Sequence, residues 1–206
     1  MPLTPGSFRS YLVLALVLFG LGLAAAWLIH ATLALVGIAS LWWLETPGAL
    51  SVAITLFAAF DKWLWAWPPL RSIGLVQWPD LRGRWEGQLL TSFPLQEEPL
   101  PASIEIRQTA TSIQVSLYAR QSRSTSVFAT IAPDEDGVPT LKYTYLNRPE
   151  ALENGSMHMH LGSSELRYFT DIRELRGRYF TSHDRGNDGS MTFSFASKHL
   201  LGRFAR

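Results

Sequence analysis

The sequence contains no cysteine, which excludes disulfides, thiolate metal sites and cysteine nucleophiles together. That fits a reducing compartment. Charge is nearly missing from the first part of the chain, where only Arg9 and Glu45 are charged between Met1 and Phe60. The remainder lacks an excess of either sign, with sixteen Lys/Arg against fifteen Asp/Glu from Pro68 onward. A neutral domain has no broad positive field of the kind that nonspecific nucleic-acid binding requires, so neither DNA nor RNA is an expected partner. A few arginines are still enough to hold one anionic ligand.

Catalytic signatures are missing too. No serine nucleophile elbow occurs, nor a phosphate-cradling glycine loop before a helix. Asp134, Glu135 and Asp136 fall in a turn with no partner for acid–base work. His158 and His160 alternate on one strand, where they are expected to lie on an outer sheet face, and no third ligand stands beside them. Neither enzyme activity nor a metal or cofactor is expected.

What is present is a sharp division. Tyr11 to Leu44 is apolar with one ionisable side chain, His30. A spanning helix needs about 20 apolar residues, so the run is too long for one upright span. A second apolar stretch follows Glu45-Thr-Pro-Gly48 and continues into Trp63-Leu-Trp-Ala-Trp67. The expected partition places residues 1–67 in the membrane, with helices at about 11–34 and 48–67. Trp42 and Trp43 then lie at the far interface, and Trp63, Trp65 and Trp67 form an aromatic belt at the near one. Gly20, Gly22 and Ala24 to Ala26 permit close helix approach. Arg9 precedes the first span, and Arg71, Arg82 and Arg84 follow the second, so the positive-inside rule puts both termini in the cytoplasm. A break near His30 would give three spans and reverse that side, and Ala24-Ala25-Ala26 mimics a signal-peptide cleavage site. Neither alternative explains the two-part apolar pattern as simply.

Pro68-Pro69 is expected to end the second helix, and 68–80 to be a short linker. From Leu81 the chain alternates with period two. Expected strands are 84–92, 102–108, 112–120, 124–131, 140–147, 157–161 (running on toward 169), 174–182 and 189–196. Turn chemistry separates them: Pro94 and Pro99, Asp134-Glu-Asp-Gly137, Asn154-Gly155 and Gly186-Asn-Asp-Gly189. Eight short, evenly spaced strands suit a barrel or a sandwich. So little chain is left for crossovers that residues 81–206 are read as a compact eight-stranded antiparallel up-and-down barrel of lipocalin or avidin type. Such a barrel has room for one small ligand.

Five segments carry a resemblance: Pro79-Asp-Leu-Arg-Gly-Arg-Trp85-Glu-Gly87, Phe60-Asp-Lys-Trp-Leu-Trp65, Leu141-Lys-Tyr-Thr-Tyr-Leu-Asn-Arg-Pro149, His160-Leu-Gly162 and Leu175-Arg-Gly-Arg-Tyr-Phe-Thr181. In that arrangement the chain resembles the SMODS-associated effectors with two transmembrane helices and a β-strand-rich domain, which serve the CBASS antiphage systems. The resemblance implies that a partner nucleotidyltransferase makes a cyclic di- or trinucleotide. It further implies that the barrel binds this messenger, that the protein assembles as a homo-oligomer in the bacterial inner membrane, and that disruption of the bilayer ends the infection abortively.

Such a ligand needs aromatic faces for its bases, guanidinium or hydroxyl donors for its phosphates, and polar groups for its base edges. The series Leu141, Tyr143, Tyr145, Asn147 and Leu175, Gly177, Tyr179, Thr181 run from apolar to polar along one strand face, as expected for strands climbing from floor to mouth. Tyr143, Tyr145, Asn147, Tyr179 and Thr181 are therefore candidate contacts. Arg120, Ser122 and Ser124 form a candidate phosphate loop, and Arg185 a second cation. Trp85 is expected to be a packed plug. A tethered lipocalin-like carrier of an apolar molecule and a solid structural anchor are the competing readings.

Overall fold

The computed structural model describes residues 5–37, 42–72, 74, 76–92, 98–120, 122–149, 159–182 and 187–204. The chain divides into two units: residues 2–77 with 109–111, and the remainder from Trp78.

The first unit is helical. Helix α1 (Pro5–Leu35) and helix α2 (Trp42–Lys62) pack against each other. Among the described residues one segment is long and apolar enough to cross a membrane, Ala15–Leu35 in α1, with mean hydropathy 2.0. The second helix begins at Trp42, so Trp42 and Trp43 open it instead of forming a separate interfacial piece. It also stops six residues before Pro68: Trp63 leaves the helical region at φ −130°, and Leu64–Ala66 form a 3₁₀ turn. Pro68 and Pro69 start a short helix, α3 (Pro68–Ser72), consistent with proline's tolerance in a first helical turn. Trp65 is buried while Trp63 and Trp67 are exposed.

The second unit is a closed barrel of eight antiparallel strands in sequence order. Its strands are β1 (Gly83–Thr91), β2 (Leu100–Gln108), β3 (Ile113–Ala119), β4 (Ser122–Pro133), β5 (Pro139–Pro149), β6 (His160–Phe169), β7 (Glu174–Thr181) and β8 (Asp188–Ser197). The turns form where the chemistry dictates. Between β4 and β5 the Asp134 carboxylate accepts the backbone N–H of Asp136 (3.0 Å) and of Val138 (2.8 Å), and Gly137 takes φ 79°.

One end of the barrel is sealed. Trp85 packs edge-on against Tyr168 and Phe195, with ring centroids 5.8 and 5.3 Å apart, and its indole N–H donates to Leu81 O at 2.9 Å. Gln108 closes the layer, accepting from Leu81 N and donating to Pro79 O. At the same end Asp80 accepts from Arg82 at 2.9 Å and from Lys198 at 3.1 Å, tying the entry of β1 to the exit of β8. Burial works against the Asp80 carboxylate, but the Arg82 side chain and backbone and Lys198 outweigh it and hold the carboxyl down at about 2. A depressed carboxyl stabilises the fold above its unfolded value and loses that contribution as pH falls toward the folded one. Unfolding of the full chain in detergent between pH 5 and pH 2 should thus show a loss of about 1–2 kcal/mol from this site. Asp80→Asn is expected to remove it and to flatten that part of the pH profile.

Candidate functional site

The other end is built from polar rows. Strand register stacks inward-facing residues in layers, because side chains alternate between the two faces of every strand. The uppermost row runs Ser124, Asn147, His160 across β4, β5 and β6. Below it lie Ser126, Tyr145, Gly162 and Thr181. Next come Ala129, Tyr143, Ser164, Tyr179, Gly189 and Thr91. The fourth row, Ile131, Leu141, Leu166, Gly177, Met191 and Leu89, carries no polar side chain and merges with the core.

Six of the nine candidate residues thus converge on the upper interior. Ser124 and Asn147 are buried and bonded, with the Ser124 hydroxyl donating to Asn147 Oδ1 at 2.9 Å. Tyr143 and Tyr145 are buried with ring centroids 5.9 Å apart. Tyr179 is half-buried against the core cluster. Thr181 also faces inward, but its hydroxyl donates to Asn187 O and accepts from Asn187 N, so it closes the β7–β8 connection. Ser122 is half-buried at the start of β4, opposite Pro149. Arg120 follows β3 and is exposed. Arg185 lies outside the described residues, as does His158.

His160 departs from expectation. It shares the parity of Leu166 and Tyr168, which are core residues, and so lies on the inner face at the rim. Among the described residues no group of His, Asp and Glu has metal-holding geometry. Inward positions of the eight strands carry no Lys, Arg, Asp or Glu among these residues, so the upper interior offers neutral hydroxyls, the Asn147 amide, the His160 imidazole at the rim and aromatic rings.

Two glycines shape this surface. A Cβ on Gly162 would strike the ring of Tyr145, and a Cβ on Gly189 would stand 2.5 Å from Tyr179 Cε1. Each tyrosine therefore lies across a glycine of the next strand. The missing Cβ lets each ring pack closely over the neighbouring strand. Alternation through Gly162, Ser164 and Leu166 was the available signal for Gly162 and Ser164.

The Tyr143 and Ser164 hydroxyls sit across the β5–β6 ladder from each other, both buried, and their contact with each other falls short of full hydrogen-bond geometry. Burial pushes the Tyr143 hydroxyl up to about 12, against a smaller opposing pull from Ser164. It is a neutral donor at any physiological pH. A buried unsatisfied polar group costs about 1–3 kcal/mol.

Residues 76–194 match the family model described as Cap15, cyclic dinucleotide receptor domain. The chain is also similar to two curated proteins, each named CD-NTase-associated protein 15. The one from Yersinia aleksiciae is 32% identical over 143 residues, which cover 68% of this chain and 65% of that protein. The one from Staphylococcus schleiferi is 27% identical over 139 residues, covering 68% of this chain and 72% of that protein. The match to the Yersinia protein thus spans less than two thirds of its length.

Proposed function

This chain belongs to the Cap15 cyclic dinucleotide receptor family, and from that premise we propose that its barrel binds a cyclic di- or trinucleotide in the polar upper interior. The observation that carries the reading is the pair of buried hydroxyls on Tyr143 and Ser164, which face each other and have no other partner among the described residues. They are donors and acceptors held ready beneath two tyrosine faces, and a base edge would satisfy them. Tyr145 and Tyr179 provide stacking surfaces, and Ser124 and Asn147 read polar edges from the rim. The phosphates lie toward the open end, where Arg120 and Ser122 are the expected contacts; Arg185, outside the described residues, is the further candidate cation. Three polar rows disfavour the apolar-carrier reading.

The protein then acts as a receptor and effector, not as an enzyme. A partner nucleotidyltransferase supplies the messenger, in keeping with the name of the two relatives. The helices hold the barrel at the cytoplasmic side of the bacterial inner membrane. Ligand binding drives homo-oligomerisation, and the assembled helices disrupt the bilayer in antiphage defence.

Tyr143→Phe and Ser164→Ala test the carrying observation, because their effects have opposite signs in the two states. Removing an unsatisfied buried hydroxyl is expected to leave the ligand-free chain as stable as before, or more stable. The same change should weaken cyclic-nucleotide binding by about 1–3 kcal/mol. Thermal unfolding with and without ligand reads both. Equal loss of stability in both states would sink the assignment.

A further inference from the structure

Strand β4 is the longest of the barrel at 12 residues, and its two edges are unequal. Along β5 it is paired from Ser122–Pro149 to Pro133–Pro139, with one irregularity between Ser126 and Phe128. Along β3 the ladder covers three positions, Ser116–Thr125, Leu117–Ser124 and Tyr118–Arg123. Just beyond them the Val115 N–H donates to the Ser126 hydroxyl at 2.9 Å, so a side chain takes the place of the next ladder bond. Among the described residues, 127–133 therefore have a paired strand on one edge alone.

An unpaired edge of this kind is a template for another strand, and proteins commonly blunt it with lysine or another charge. Here Val127-Phe-Ala-Thr-Ile-Ala-Pro133 carries none. Val127 is 70% exposed and Phe128 47%. Pro133, which lacks an N–H, limits the edge at its far end.

The geometry points to residues 127–133 as a strand-pairing surface for a second copy of this chain, the two segments running antiparallel about a two-fold axis through Thr130. An uncharged segment meets itself without bringing like charges together, and a two-fold contact is self-complementary by construction. Ala129 and Ile131 pack on the core, so Phe128, Thr130 and Ala132 share the outer face. Antiparallel pairing centred on Thr130 sets Thr130 against Thr130, and each Phe128 against an Ala132, large against small. One strand pair buries less than a stable soluble dimer needs, so the contact depends on confinement of both copies in one membrane. The surface is argued from the ladder and does not rest on the ligand reading.

The absence of cysteine makes the test clean. Full-length Thr130→Cys, assembled in membranes and oxidised, is expected to cross-link to itself several-fold more than Ser163→Cys, which sits on the outer face of β6. Co-expressed Phe128→Cys and Ala132→Cys chains should cross-link to each other, and an added Thr130→Lys should suppress that product. The Phe128–Ala132 pair keeps the test alive if Thr130→Cys fails to fold. Cross-linking no greater than Ser163→Cys at both sites would overturn the surface, as would cross-links only to a different protein. Cyclic-nucleotide binding measured on the same samples reports separately on the proposed function.

Discussion

Glu105→Ala is expected to destabilise the barrel by about 3–5 kcal/mol. The Glu105 side chain is fully buried and Arg84 is 3% exposed, with Arg84 Nη1 donating to the carboxylate at 3.0 Å. The same carboxylate accepts the backbone N–H groups of Leu201 (2.7 Å) and Gly202 (3.0 Å). Arg84 in turn donates to Arg203 O and to the Ser103 hydroxyl. One carboxylate thus fastens the segment after β8 onto β1 and β2. Alanine would leave a buried guanidinium short of its counter-ion and two amides without an acceptor. Glu105→Gln keeps an oxygen in place and should lose less. Glu86, also bonded to Arg84 but with its side chain 54% exposed, should cost under about 1 kcal/mol on replacement by alanine. Denaturant unfolding of the full chain in detergent measures all three, and trypsin should cut at Arg203 faster in the alanine variant. A Glu105→Ala loss as small as that of Glu86→Ala would refute the fastening role.

The second large effect concerns the ligand. Tyr145→Ala with Tyr179→Ala is expected to weaken cyclic-nucleotide binding by about 2–6 kcal/mol, since each base stacked on an aromatic face contributes about 1–3 kcal/mol. The core beneath these rings is separate. Leu141, Leu166 and Met191 fill the next row and Trp85 seals the floor, so folding should survive better than binding. Tyr→Phe at both positions preserves the ring faces and should preserve most of the affinity. If the phenylalanine pair fails as badly as the alanine pair, the hydroxyls and not the faces carry recognition.

Alternation and turn residues made the barrel legible from the sequence, because both are local properties. Each of the eight strands lies within a few residues of where the pattern puts it. The polar climb along Tyr143, Tyr145 and Asn147 was legible for the same reason. Features set by contacts between strands were not. Glu105 stands at an outward position between Ile104 and Ile106, and nothing local separates it from a solvated carboxylate until residues 201–203 fold over it. Local alternation does not say which face His160 takes, and only the parity of β6, set by Leu166 and Tyr168, turns it inward. The end of α2 was hidden because Trp63 to Trp67 are as apolar as the helix before them. Proline marks a break there without saying that it opens the next turn.

Calorimetric titration of the full chain in lipid nanodiscs against a panel of cyclic di- and trinucleotides shows whether the upper interior of this barrel is a cyclic-nucleotide site. At least one member is expected to bind with Kd in the micromolar range or tighter, about −8 kcal/mol, and the Tyr145/Tyr179 alanine pair to abolish that binding. No binding by any member below about 100 μM, or binding that ignores the alanine pair, would contradict the proposed site.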